Sequence, residues 1–458
     1  MRKIVFRVSF FCLFVLTGCD AWDGDGSDSP RVAELSAPPS DCFWTTEMTP
    51  GADEVDNVLW PELNAAYWAA FFVLPNDALC FTLEGVFPYS RYMSMNSHDG
   101  WGGGSIDYIL DQDITPNLGS TNPFVPGNAR NDPSRIYTVQ VLPIGEQNNC
   151  PAPVQGNVLQ TPGGAGRFVY RVYLPDAGAD LSGDAGLPRV TLYMADGSVL
   201  QGEEACAVIS PFESGALQIG RYTGIDPEEY AEKRESTDPS NDPPIFRNYF
   251  SNSFHLRCEF GGDAADCSAP EITTGFGDLP DSRILYTFTN RSHGEVLVLR
   301  AKLPVTPETS QGQDMASEGD MRYWSVCSYE YYAQRAEDCL FDEQVQANED
   351  SFYTIVFSRE EDRPDNATDE CGASYLRWSN NGDGFGIEEG YENHPNDGFV
   401  GFRNVIPSAG FTQVAPALAT LDEEWRMEDY LPKGRYFSKA EFEGLGCNPW
   451  LAIPYSQM

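Results

Sequence analysis

Apolar residues in this chain come in short runs, many with a spacing of two. Arg167-Phe-Val-Tyr-Arg-Val-Tyr173 and Glu295-Val-Leu-Val-Leu-Arg300 show the pattern, and Gly, Pro, Asn or Asp interrupts the chain between such runs. Successive strand side chains point to opposite faces, so these segments predict strands, and the turn residues between them predict antiparallel connections. The fold class is therefore mainly β, of antiparallel β-sandwich or jelly-roll-like type, with a few short helices. Two local signals mark helices. Asp226-Pro227-Glu228-Glu229 has an N-cap followed by proline at the first helical position, and Ser438 with Glu441 has the spacing of a capping box.

The strand pattern recurs. Arg91-Tyr-Met-Ser-Met-Asn-Ser-His-Asp99 aligns with Arg322-Tyr-Trp-Ser-Val-Cys-Ser-Tyr-Glu330 at an offset of 231. The same offset carries Ile109-Leu-Asp-Gln-Asp-Ile114 onto Leu340-Phe-Asp-Glu-Gln-Val345 without a gap. Leu83–Pro88 aligns with Leu299–Pro304, and Tyr137-Thr-Val139 with Tyr353-Thr-Ile355, both at an offset of 216. The first copy thus holds fifteen extra residues before Tyr137, and the second holds fifteen before Arg322. Matching strands with unequal loops are what a duplicated β domain leaves, so two related domains are expected.

The N-terminus changes the picture of where the chain works. Arg2, Lys3 and Arg7 precede an apolar run from Val8 to Leu16, the order of an export signal. Leu16-Thr17-Gly18-Cys19 resembles the lipobox of bacterial lipoproteins, which implies cleavage before Cys19 and lipid on its sulfur. On this reading residues 1–18 are a signal peptide and 19–40 an acidic, disordered tether. Residues 41–215 and 276–458 are the two β domains, the second with a C-terminal helical segment. Residues 216–275 connect them with a short helix. Expected localisation is the cell envelope, on a membrane face outside the cytoplasm.

Loss of the three signal cations takes the net charge from −40 to −43. Phosphate backbones would be repelled, which excludes nucleic acid as a partner. The lipid anchor supplies the membrane attachment. Ten cysteines remain after Cys12 and Cys19 are set aside, an even number that suggests disulfides outside the cytoplasm. Cys258–Cys267 and Cys327–Cys339 are the short closures expected to pair. No CxxC and only four histidines occur, so neither a metal site nor a cofactor is expected. Asp23-x-Asp25-x-Ser27 approaches a calcium loop, but Asp28 stands where that loop needs glycine.

No GxSxG, HExxH or P-loop is present, and Gly382-x-Gly384-x-Gly386 lacks the spacing of a dinucleotide fingerprint and reads as a loop. The most distinctive polar cluster is Ser97-His98-Asp99-Gly100-Trp101-Gly102-Gly103-Gly104. His98 titrating near neutrality, Asp99 orienting it and Trp101 stacking on a sugar face would make a binding loop. The plainer reading is a flexible connection with one buried indole. Arg91 and Arg322 occupy matching positions and are candidates for holding a carboxylate ligand. Alternatively they neutralise the protein's own acids, and Asp111 and Asp342, which also match, are the candidate partners.

Trp60-Pro61, Tyr67-Trp68, Leu74-Pro75, Arg91-Tyr92-x-Ser94, Gly119-Ser120-x-Asn122-Pro123-Phe124, Arg322-Tyr323-Trp324-Ser325 and Arg363-Pro364-x-Asn366-Ala367 resemble an uncharacterised family of secreted bacterial proteins. The resemblance implies a two-copy β protein and carries no activity. The expected function is ligand or partner binding, of a glycan or a protein, through loops of the duplicated scaffold. The alternatives are a hydrolase acting on envelope glycan or ester, and a structural surface component.

Overall fold

The computed structural model describes residues 42–48, 57–100, 104–145, 149–152, 156–210, 225–248, 256–261, 280–310, 312–315, 319–414 and 426–454. The alternating segments form strands that stack as two β-sandwiches. In the first, one sheet has the order β1 (Thr46–Met48), β2 (Ala65–Val73), β8 (Ala165–Pro175), β4 (Ser90–Asp99), β5 (Ser105–Leu110). Its companion has β10 (Val199–Gln201), β9 (Arg189–Met194), β3 (Ala78–Val86), β6 (Ile136–Pro143), β7 (Val158–Thr161).

The second sandwich repeats this order. One sheet is β11 (Arg247–Asn248), β12 (Ser282–Asn290), β18 (Asp397–Pro407), β14 (Met321–Glu330), β15 (Arg335–Phe341). The other is β17 (Ser374–Arg377), β16 (Phe352–Ser358), β13 (Val296–Lys302), β19 (Lys433–Phe437). Strand for strand the two halves agree, except that β10 has no counterpart among the described residues. Register agrees as well. Leu83 faces Val139 where Leu299 faces Ile355, and Ser94 faces Leu110 where Ser325 faces Phe341. These are the residues that the two offsets equate.

The sheets are not wholly antiparallel. β6 pairs parallel with β7, and β16 parallel with β17. A parallel neighbour needs a crossover of a dozen residues or more, and the connections 144–157 and 359–373 supply that length.

Alternation along each strand separates two apolar layers. Trp68, Phe72, Leu83, Val139, Phe168 and Tyr170 fill the first sandwich, and Leu299, Trp324, Val326, Ile355 and Phe402 fill the second. The opposite faces of the β4 and β14 sheets meet each other: Tyr67, Phe71, Tyr92 and Tyr173 share a buried cluster with Tyr323, Phe341 and Val405. Tyr173 and Tyr323 cross edge to face at 5.2 Å. A separate cluster covers the far end of the β14 sheet. There Trp60, from before β2, stacks on Phe399 at 5.5 Å, beside Tyr230, Tyr331 and Phe385.

Helix α1 (Glu203–Ile209) follows β10, and Tyr230 comes from α2 (Pro227–Ser236), whose N-cap Asp226 accepts the Glu229 N–H. A C-terminal helical turn, Lys439–Glu443, carries the expected Ser438–Glu441 capping box. Four disulfides are described: Cys42–Cys206, Cys80–Cys150, Cys327–Cys339 and Cys371–Cys447. Cys327 and Cys339 face each other across β14 and β15 with Cα atoms 4.1 Å apart, as the spacing predicted. Their counterparts Asn96 and Tyr108 also face each other, unbridged. Cys258 is disulfide-bonded too, while Cys267, Cys19, the tether and its calcium-like run lie outside the described residues.

Candidate functional site

The matched arginines point inward, not to an external ligand. Arg91, on β4, is fully buried, and its Nη1 donates to both oxygens of Asp342 at 2.6 and 2.7 Å. Its Nη2 donates to Glu343 and its Nε to Thr309 at 2.9 Å. Arg322, on β14, repeats the arrangement in reverse. Its Nη1 donates to Asp111 at 3.1 and 3.2 Å and its Nη2 to Gln112 at 2.9 Å. Each arginine therefore pairs with the aspartate of the other half. Each aspartate is also held at home, Asp111 by the Met93 N–H and Asp342 by the Trp324 N–H.

A second crossed set lies beside the first. Arg171 on β8 reaches Asp281, just before β12, and Arg403 on β18 lies 3.9 Å from Glu62, just before β2. Burial pushes the Asp111 carboxyl up to about 6 against the pull of Arg322, and raises Asp342 against the pull of Arg91. Removing one member of such a pair strands a buried charge, at a cost of about 3–5 kcal/mol. The reading of Arg91 and Arg322 as ligand-binding residues is thus corrected: they join the two halves.

His98 is also corrected. Its side chain is fully buried on β4, and among the described residues neither ring nitrogen has a hydrogen-bond partner. Burial, then the charges of Arg167 and Arg171, push its pKa down to about 2, so the ring is neutral at any ordinary pH. Asp99 follows it on the same strand and is exposed. Adjacent strand residues point to opposite faces, so Asp99 cannot orient His98. Trp101 lies outside the described residues.

Where the halves differ in length, the surface becomes concave. The fifteen extra residues of the first half fold after a short 3-10 turn at Asp111–Asp113. Asn122 pins them: its Nδ2 donates to the carbonyls of Asp111 and Ile114, and its Oδ1 accepts the Phe124 N–H. The wall so formed borders a cavity of about 420 Å³ with Gln112, Thr115, Ser120, Thr121 and Asn128. The extra residues of the second half contribute Gly319 and Asp320 to a cavity of about 430 Å³. Phe411, Gln413, Glu428 and Tyr430 line its other sides. Here Phe411 and Tyr430 meet edge to face at 5.0 Å, and Lys302 Nζ lies 5.7 Å above the Tyr430 ring.

A third difference escaped the repeat alignment. Between β7 and β8 the chain needs residues 162–164 only, whereas residues 378–396 join β17 to β18. This longer loop carries a hydrogen-bonded polar constellation near the surface. Asp383 is 1% exposed and accepts four hydrogen bonds: from Tyr230 Oη at 2.8 Å, His394 Nδ1 at 2.7 Å, the Phe385 N–H at 3.1 Å and the His394 N–H at 2.9 Å. The hydrogen bond that His394 Nδ1 donates to Asp383 holds the His394 pKa above its usual value. Asp397 lies nearby, gripped by Arg234 at 2.6 and 2.8 Å and by Asn290 at 2.9 Å.

Asp383, His394 and Asp397 have the types and proximity of metal ligands, but these hydrogen bonds already use both oxygens of each carboxylate. A metal would have to displace Arg234. Glu62 near Cys327 and Cys339 offers no better site, because both sulfurs are in a disulfide. Only loop glycines at 382, 384 and 386 signalled the 378–396 segment in the sequence. No periodicity could have placed Asp383 beside His394.

No protein-family model and no curated protein matches the sequence. Among solved structures, the chain is similar to an uncharacterised protein from Burkholderia cenocepacia, at 12% identity and a TM-score of 0.47 over 88% of this chain and 84% of that one. It is also similar to the VPA0106 protein from Vibrio parahaemolyticus, at 11% identity and a TM-score of 0.38 over 83% of this chain and 90% of that one.

Proposed function

We propose that this chain is an exported protein, anchored by lipid on Cys19, that binds an extracytoplasmic saccharide in a cleft of its rigid two-sandwich scaffold. One observation carries the binding reading: the residues by which the two halves differ in length wall the two cavities. A scaffold kept constant while its loops diverge is how binding sites are commonly mounted. The cleft of the second half has the composition for sugar. Phe411 and Tyr430 offer apolar ring surface to a pyranose face, and Asp320, Gln413 and Lys302 offer hydrogen bonds to hydroxyls. Four disulfides suit an oxidising compartment outside the cytoplasm, where the lipobox-like Leu16–Cys19 would place the protein.

Binding to a panel of bacterial envelope and capsular oligosaccharides tests this. At least one should bind, and Tyr430→Ala should weaken it about tenfold or more while the protein stays folded. No binding to any member, or binding indifferent to Tyr430→Ala and Phe411→Ala, would contradict the cleft assignment. In the same preparation Cys19→Ala should leave the membrane fraction, and unchanged membrane association would contradict the anchor.

A further inference from the structure

His394 is the one described imidazole held by a buried carboxylate. Its Nδ1 is committed to Asp383, and Asp383 is itself fixed by Tyr230 of α2 and two backbone N–H groups. With Nδ1–H donated, the neutral ring presents Nε2 as an acceptor. Nε2 makes no hydrogen bond with any described residue, and the side chain is 33% exposed. The Nδ1–H bond to Asp383 exists in both protonation states. Titration therefore changes Nε2 alone.

We propose that His394 is a general base for hydrolysis of carboxylic esters, with Asp383 fixing its tautomer and orientation. This inference is independent of the cleft reading above. An oriented imidazole whose far nitrogen is a free acceptor is the working half of acyl-transfer sites, whatever fold carries it. No described hydroxyl side chain bonds to Nε2, so the nucleophile is water from solvent. Glycoside hydrolysis fits less well, because it needs two carboxyl groups free to act, and Asp383 and Asp397 are saturated by donors.

The step balances without a cofactor. Water gives a proton to Nε2 as its oxygen bonds to the acyl carbon. The tetrahedral adduct then breaks its bond to the alkoxide, which takes the proton back from the imidazolium. Ester and water become acid and alcohol. The charged and titratable groups facing the ring are Asp383 on its own loop, Tyr230 and Arg234 on α2, and Asp397 on β18.

The test is turnover of p-nitrophenyl acetate by the purified mature chain in detergent with EDTA, measured from pH 5 to 9. The rate should rise with pH along one titration whose midpoint lies above 6.5. His394→Gln should lower it by the order of a hundredfold, the range of general-base contributions, while His293→Gln should not. Asp383→Asn should lower the rate and move the midpoint down. A measurement that needs no substitution is the 15N shift pattern of His394, which should show the Nδ1–H tautomer at high pH. Turnover unchanged in His394→Gln, the Nε2–H tautomer, or activity abolished by EDTA and restored by zinc would each overturn the assignment.

Discussion

At the scale of single residues, alternation along β4 decides what each candidate can do. Tyr92, Met93 and Met95 show why: Met93 and Met95 fill the sandwich, while Tyr92, next to Met93, packs in the layer against the other half. His98 falls on that second face, opposite Arg167 of β8, and its burial there had no signal in the sequence. The correspondence Arg91–Arg322 and Asp111–Asp342 was legible from two ungapped matches. That the pairs are crossed was not, since nothing in a repeat says which copy faces which.

His98 also makes a measurable prediction. The unfolded chain protonates it below about pH 6.5, while the folded chain holds it neutral down to about 2. The folded state binds fewer protons in that window, so the contribution of His98 is absent above pH 6.5 and becomes destabilising as pH falls. His98→Phe, which brings an aromatic ring to the position held by Tyr329 in the second half, removes this term and an orphaned polar group. Urea unfolding of both proteins should show the variant gaining about 2 kcal/mol on the wild type between pH 7 and pH 5. A constant difference across that range would place His98 in water.

At the scale of elements, strands were readable and loops were not. Leu83–Pro88 and Arg91–Asp99 are recognisable because their apolar faces recur in the matching core strands of the second half. Val158–Thr161 and Ser374–Arg377 are equivalent strands with no residue in common, so neither the parallel pairing nor the length of the 378–396 loop could be seen. That loop is closed by Gly382, at φ +64°, where a Cβ would stand 2.0 Å from the His394 carbonyl oxygen. Gly382→Ala must therefore part the loop's two ends. Hydrogen exchange should quicken at the His394 amide, which now donates to Asp383, and stability should fall by about 1–3 kcal/mol. Exchange at the wild-type rate would mean that Asp383 and His394 are not held together by this closure.

At the scale of the whole molecule, two sandwiches of matching strand order are arranged like the subunits of an isologous dimer, with residue i of one meeting residue j of the other and the reverse. Arg91–Asp342–Glu343 and Arg322–Asp111–Gln112 are the two sides of that relation. The buried polar centre fixes how the sandwiches face each other, and the unequal loops at the rim are left to differ. The direct test is a double-mutant cycle by urea unfolding on Arg91→Met with Asp342→Asn, set against Arg91→Met with Asp111→Asn. Coupling of about 1–3 kcal/mol in the first cycle and within about 0.5 kcal/mol of zero in the second is the predicted result. Coupling of Arg91 to Asp111, its neighbour in the same half, would contradict the crossed arrangement.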